Sequence, residues 1–370
     1  MAAGGRFLIF MIIMEIFILV TILLIFNLII YIGLKSKSKL LNKQDNKIFI
    51  SIVVAAKNEK ENIISLINSI KEIDFPQTQY EVIIVDDNSN DNTFEIAKSY
   101  SNGLANFFIY TLKEKEFPGK KGALDFGISK TKYPYILITD ADCIISKGWL
   151  KNYELKFKEG YDFLFGIAPF IKGNNLINKI SCFENLRSSI LTFAAANIGL
   201  PYSAAARNFG FNKLSFYKIS GYKNTTETLS GDDDLLLREA VKNRLKIGTI
   251  NESSSFVYSY SKNTFKEYFL QRSRHTKTSF YYLPSRQIVL GIWHLINLIC
   301  LFSILLIPFN ILFIIPFAAK LFLDVIQIIS YQSSFGYNFK LKEIFFFQLN
   351  YEILLVINFF GAMFKNDKWK

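Results

Sequence analysis

Tyr135–Ile136–Leu137–Ile138–Thr139–Asp140–Ala141–Asp142 is an apolar run that ends in two carboxylates one residue apart. A hard divalent cation takes oxygen ligands held close together on a rigid support, and the end of a buried strand is such a support. By itself the pair is equally a polar turn after a strand, so its meaning depends on what surrounds it. Ile48–Ala56, Val82–Val85, Phe107–Thr111 and Asp162–Ala168 are further short apolar runs, with helical spacing between them. Ile63, Ile64, Ile67 and Ile70 mark one helix that Asn58 is placed to cap, and another is expected from about Thr93, where Asn90 or Asp91 can cap. Strands that are apolar throughout and separated by helices predict an α/β fold with a mostly parallel sheet covered on both faces. Ligands of such sheets sit beyond the carboxyl ends of the strands, which is where the acidic clusters of this chain fall.

Of the 370 residues 51% are hydrophobic, and they concentrate toward the two ends. Phe7 to about Leu34 is almost unbroken Ile, Leu, Phe and Val, longer than the roughly 20 residues a spanning helix needs. Its one charge, Glu15, costs about 2.5–3.5 kcal/mol at mid-helix, whereas each Leu, Ile, Phe or Val contributes about 0.3–0.6 in favour, so insertion wins. The segment is too long for a signal-peptide core and no small-x-small site follows, so it reads as a retained anchor. Lys35, Lys37, Lys39 and Lys43 follow it, against Arg6 before it, which places the next domain in the cytoplasm and the chain in the inner, cytoplasmic membrane. Asn175–Leu200 reads as a helix under the sheet or against the membrane, and Thr264–Tyr282, which mixes Phe and Tyr with Lys and Arg, as an interfacial helix. A zone at 288–327, with Pro308 and Pro316 near a bend, is long enough for two crossings. The last zone, 344–364, either crosses, leaving Lys365, Lys368 and Lys370 outside against the charge bias, or lies shallow. The expected organisation is an anchor at 7–34, a globular domain at 47–262, an interfacial region at 263–286, a transmembrane hairpin at 287–330 and a third C-terminal helix at 343–364. Three scattered cysteines indicate no disulfide framework. The net charge of +12 is dispersed rather than interleaved with aromatics, which argues against nucleic acid and for contact with anionic headgroups.

Other residues carry chemistry. Asp86 and Asp87 end the second strand, where an acid can accept from a base N–H or a ribose hydroxyl, or cap the next helix. Lys120 opens a loop-to-helix junction, Pro118–Gly–Lys–Lys–Gly–Ala–Leu124, where backbone N–H groups and an ammonium meet phosphate. Gly231–Asp232–Asp233–Asp234 starts a helix whose dipole tolerates repelling carboxylates, and one of them facing a cleft is placed to act as a general base. Gln271–Arg272–Ser273–Arg274–His275 precedes the second membrane zone, and Arg274 is suited to clamping a diphosphate.

In this order the motifs resemble the family 2 glycosyltransferases of the GT-A fold, inverting enzymes that include cellulose, chitin and hyaluronan synthases; the resemblance covers residues 48–283. It implies a Rossmann-like catalytic domain in which Ala56, Asn58 and Glu59 at the end of the first strand contact the nucleotide. It further implies that Asp86 and Asp87 read base and ribose, that Lys120 is the lysine of the G-K loop, and that Asp140 and Asp142 form the D-x-D seat of Mg²⁺ or Mn²⁺. Asp140 has the ribose as its alternative partner. Ala206–Phe216 is similar to the acceptor-side segment. Two places depart from the family pattern. The family's E-D pair stands here as Gly231–Asp232, which makes Asp232 the base, while a slide of one place makes it Asp233. The family's Q-x-x-R-W stands as Gln271-x-x-Arg274–His275, and His is a smaller platform for an acceptor sugar than Trp, which argues against long processive synthesis. The implied activity is metal-dependent, inverting transfer of one sugar from a nucleotide-diphosphate donor, a UDP-sugar in preference, to an acceptor hydroxyl on a glycolipid, lipid-linked sugar or polysaccharide. A polyprenyl phosphate acceptor is the enzymatic alternative, and a non-catalytic membrane scaffold or glycan-binding protein is the other class.

Overall fold

The computed structural model describes residues 2–36 and 47–364. Lys37, Lys39, Lys43, Lys365, Lys368 and Lys370, on which the charge-bias expectations rest, lie outside the described residues. In chain order the elements are α1 (Ala2–Lys35), β1 (Ile50–Ala56), α2 (Ile63–Lys71), β2 (Tyr80–Asp86), α3 (Thr93–Tyr100), β3 (Phe107–Thr111), α4 (Lys120–Lys130), β4 (Tyr135–Asp140), β5 (Cys143–Ile145), α5 (Trp149–Lys158), β6 (Phe163–Gly166), α6 (Leu176–Asn197), β7 (Phe209–Asn212), α7 (Lys213–Lys218), α8 (Asp234–Lys242), β8 (Ile247–Ile250), β9 (Val257–Ser259), α9 (Phe265–Ser279), α10 (Pro284–Phe302), α11 (Ile314–Tyr331) and α12 (Leu341–Phe364). Seven strands form one sheet in the order β3-β2-β1-β4-β7-β6-β8, and β5 pairs with β9 beside it. All neighbours in the large sheet are parallel except β7, which runs antiparallel to both β4 and β6.

Successive side chains of a strand point to opposite faces, and here both faces are covered. Ile50, Ile52 and Val54 of β1 pack with α2 and α5, whereas Val53 packs with α4 on the other side. Ile63, Leu66, Ile67 and Ile70 of α2 are fully buried. Each is worth about 1.5–3 kcal/mol of burial, against about 1 for a cap, which explains why α2 holds with no side-chain N-cap bond. Asn58 does not cap α2: it takes a left-handed φ of 56° ahead of the helix, and its Oδ1 accepts from Asn90 N–H at 2.9 Å. β7 is the strand that periodicity does not reveal, four residues, Phe–Gly–Phe–Asn, inside the Ala206–Phe216 segment. A Cβ on its Gly210 would run into the Leu137 and Tyr153 side chains, so glycine permits the close pairing with β4.

Four helices among the described residues are long and apolar enough to cross a membrane: Ile9–Lys35, Pro284–Leu306, Ile311–Phe335 and Leu341–Phe364. Near the end of α1, the Gly33 carbonyl accepts from Asn197 Nδ2 at 3.0 Å, and Asn197 Oδ1 accepts from Thr249 Oγ1 of β8 at 2.7 Å. That chain of bonds ties α1 to the sheet. α10 and α11 form a hairpin whose turn carries Pro308 and, at 83% exposure, Phe309. α12 behaves differently, because both its ends meet the globular domain side. Glu343 near its start pairs with Lys172 at 3.2 Å and Lys179 at 2.9 Å. Near its end Phe359 packs edge-on against Phe280 at 5.3 Å, and Gly361 faces Ser273 of α9. A buried polar cluster fastens these helices together: Lys320 to Asp324 at 2.5 Å and to Glu352 at 3.3 Å, Arg187 to Asp324 at 3.0 Å, and Gln348 to Asp324 at 2.8 Å. Charges at such depth persist only when paired with one another.

Candidate active site

The carboxyl ends of β1, β2 and β4 open onto a cavity of about 1360 Å³. Ala56, Glu59, Asp87, Lys120, Asp140, Asp142, Asp232, Asp233, Gln271, Arg274 and His275 stand in its wall, which brings together residues far apart in sequence. Asn58 and Asp86 are not in the wall. Asn58 shapes the turn after β1, with its N–H donating to Ser89 Oγ at 2.9 Å. Asp86 is buried and accepts from Ser89 N–H at 3.2 Å through Oδ2, while its buried Oδ1 has no hydrogen-bond partner among the described residues. Asp87 accepts from Lys115 Nζ through both oxygens at 2.8 Å, with Lys57 Nζ at 3.8 Å. Neither lysine has a spacing that would mark it in the sequence.

Lys120 is the pivot of the site. Gly119, at φ 69°, turns the chain into α4 so that Lys120 is its first residue, buried, with Nζ 2.6 Å from Asp140 Oδ1 and 2.7 Å from Asp232 Oδ2. Burial alone would discharge this amine, but the two carboxylates outweigh it and hold the ammonium pKa well above the usual lysine value. Next along the chain, the buried Lys121 donates to the carbonyls of Thr225 and Thr228, pinning the loop that leads to Asp232.

The three successive aspartates divide their work. Asp233 caps α8 by accepting from Asp234 N–H at 2.7 Å and accepts from Ala206 N–H at 2.6 Å. Asp234 accepts from Ala204 N–H at 2.9 Å and Tyr282 O–H at 2.7 Å. Those two hold the 204–206 loop, and Asp232 turns to Lys120. Burial pushes the Asp232 carboxyl up, but the charge and hydrogen bond of Lys120, with Lys121 behind, bring it net below the ordinary carboxylate range. Asp233 goes the other way, well above that range, through burial and then repulsion from Asp234 and Asp232. The departure at Gly231 has a physical cause. Its φ is 77°, and a Cβ there would stand 2.7 Å from Leu235 Cγ and 2.8 Å from Thr278 Cγ2, so neither the backbone nor the space admits the family's glutamate.

Asp140, Asp142 and Cys143 offer ligand atoms within 4.8 Å of one another. The Cys143 thiol is pushed well above its usual pKa by burial and by Asp142 and Asp140, so it stays protonated and soft. The pair of carboxylates is the part of this group that fits a hard cation such as Mg²⁺ or Mn²⁺.

On the far wall, Arg272 Nε lies 2.8 Å from Glu184 Oε2, which also accepts from Tyr268 O–H at 2.7 Å. His275 opens into the cavity; desolvation there and then Arg274, Arg272 and Arg207 hold its pKa well below the usual imidazole value. Arg207 stacks over the Phe170 ring at 4.6 Å and donates to the Ala168 carbonyl. Its neighbour Asn208 is fully buried and satisfied, accepting from Trp149 Nε1 and Tyr153 O–H at 2.8 Å and donating to the carbonyls of Ile167 and Ser255 at 2.8 and 3.1 Å.

Residues 51–215 match the family model described as glycosyl transferase family 2. Glycosyltransferase AglE of Haloferax volcanii is 34% identical over 142 residues, 38% of this chain and 46% of its own length. The beta-monoglucosyldiacylglycerol synthase of Trichormus variabilis is 34% identical over 102 residues, 28% of this chain and 22% of its own. The chain thus spans less than half the length of these curated relatives. Among solved structures, the mannosyltransferase PcManGT from Pyrobaculum calidifontis, in complex with GDP-Man and Mn²⁺, shares the fold over 93% of this chain and 95% of that one, with a TM-score of 0.61 at 13% identity. The likeness to glycosyl transferase family 2 thus rests on residues 51–215, at the carboxyl ends of whose strands the cavity opens.

Proposed function

We propose that the protein is a membrane-anchored glycosyltransferase that inverts the anomeric centre as it moves one sugar from a nucleotide-diphosphate donor to an acceptor hydroxyl. The observation that carries this reading is the meeting of Asp140 and Asp232 on Lys120, each within hydrogen-bond reach of its ammonium in a single cavity. Asp87 and Glu59 line the side where base and ribose bind, and Gln271, Arg274 and His275 line the side facing the leaving phosphates. Asp140 and Asp142 hold the divalent cation, which, when bound, offsets charge developing on the diphosphate. Lys120, now shared by two carboxylates, has phosphate oxygens as its next partners. Asp232 takes the acceptor proton, the acceptor oxygen forms the new bond to the anomeric carbon, and the bond to the diphosphate breaks with its electron pair leaving on the phosphate. Asp233, with both oxygens engaged by backbone N–H groups, serves the loop rather than the proton.

The test is a panel of UDP-, GDP- and dTDP-sugars with Mn²⁺, read by nucleoside diphosphate release and donor binding. Asp232→Asn should bind donor as the parent does and release less than about one hundredth as much product, within the range that one acid–base group contributes. Unchanged turnover would remove Asp232 from the mechanism, and the absence of donor binding by the parent would remove the transferase reading.

A further inference from the structure

The cavity continues past the carboxylates. From Asp232 it passes His275 and Arg272 and runs between α10 and α12, where Leu290, Leu298, Leu355 and Phe359 line it, with His294 and Glu352 the polar exceptions. At about 1.5 Å per residue, Leu298 stands about 21 Å along α10 from Pro284, well into a helix long and apolar enough to cross a bilayer. A water-soluble acceptor has no use for an arm that runs between two helices apolar enough to cross a bilayer. Hydrocarbon does. The neck that joins the arm to the catalytic carboxylates is cationic: Arg207, Arg272 and Arg274 line the cavity there together with His275. The acids along this path are already engaged, Asp232 by Lys120, Glu184 by Arg272 and Tyr268, and Glu352 by Lys320 with His294 beside it, so Arg207 is a cation of the neck whose charge none of these acids offsets. Arg272 stands where α9 meets α12, within electrostatic reach of Tyr351, so the charge sits at the entrance to the arm.

Resting on the glycosyl-transfer reading above, we propose that the acceptor is a membrane lipid with a phosphate between its head and its tail. Its hydrocarbon fills the arm between α10 and α12, its phosphate meets Arg207 and Arg272, and its hydroxyl-bearing head reaches Asp232. A guanidinium fork matches a phosphate bidentately and is readily desolvated, which suits a neck between water and lipid. The amphiphile enters sideways from the bilayer while the nucleotide enters from water, so the two substrates do not share a route.

The full chain in dodecyl-maltoside micelles, which contain no phosphate, is irradiated with a long-chain isoprenyl phosphate carrying a photoreactive tail. Crosslinks are expected in residues 287–298 and 351–359. Unlabelled long-chain isoprenyl phosphate should compete at least tenfold better than either a five-carbon isoprenyl phosphate or diacylglycerol. Leu298→Trp should fill the arm and lower the crosslink at least fivefold, with melting temperature recorded alongside; the mapping on the parent chain stands whether or not that variant folds. Crosslinks scattered over the outer faces of the helices, or equal competition by diacylglycerol, overturn the acceptor assignment. Nucleotide titration on the same samples separates the two levels: bound nucleotide with misplaced crosslinks sinks this inference alone, and no bound nucleotide sinks the transferase reading beneath it.

Discussion

Lys120 answers two carboxylates with one ammonium, so its removal leaves Asp140 and Asp232 facing each other across a buried gap. Breaking a buried pair costs about 3–5 kcal/mol, and the partial exposure of Asp140 puts the expected loss at the lower end. Lys120→Met should therefore melt earlier and bind donor at least tenfold more weakly, both readable by thermal shift with and without nucleotide. Gly231→Ala should cost about 1–2 kcal/mol for the left-handed backbone, more once Leu235 and Thr278 are displaced, and should cut turnover through the shift of Asp232. Asp125 of α4 tests the pH response outside the site. Burial and then Glu116 push it up to about 6, above its value of about 3.9 in an unfolded chain. The fold therefore disfavours its charged form. That contribution is whole below about pH 4 and is lost as pH rises through about 6. Asp125→Asn should match the parent's melting temperature at pH 4 and exceed it at pH 7.

At the scale of elements, legibility followed burial. β1, β2 and β4 are apolar on both faces, so composition alone exposes them, and the acids at their ends mark the cleft. The fifth strand expected at 162–168 is the shorter Phe163–Gly166, and β7, β8 and β9 are three or four residues each, too short for a period to declare itself. Asp232 stood in the sequence beside two identical neighbours, and partners reached through space distinguish them: Lys120 on Asp232, Ala206 N–H on Asp233, and Ala204 N–H and Tyr282 O–H on Asp234. Lys57 and Lys115 were illegible because their partner Asp87 is reached through space. α12 left two readings open in the sequence, and its contacts at both ends favour a helix lying along α9. Single cysteines placed at Leu341 and Phe364 should then react with an impermeant maleimide from the same side of sealed vesicles; labelling from opposite sides would make α12 a crossing. The joint between α1 and α6 has its own weak point. A Cβ on Gly33 meets the Ala194 backbone, so Gly33→Leu should release the anchor from the domain and lower the melting temperature.

At the scale of the molecule, the sheet and the helix bundle are one object, because α6 lies between them and the Arg187–Asp324 pair binds α6 to α11. Asp140, Asp142 and Asp232, the proposed metal seat and base, sit on the sheet side of that joint, and the arm between α10 and α12 on the other. If the acceptor is the lipid proposed above, a cavity with one mouth in water and one arm in lipid changes what concentration means for its reaction. The donor is counted per litre, whereas a bilayer-borne acceptor is counted per unit of membrane, as in any encounter confined to two dimensions. Diluting a vesicle suspension at constant donor should leave the rate per enzyme unchanged, while diluting the acceptor with bystander lipid should lower it in proportion to its mole fraction.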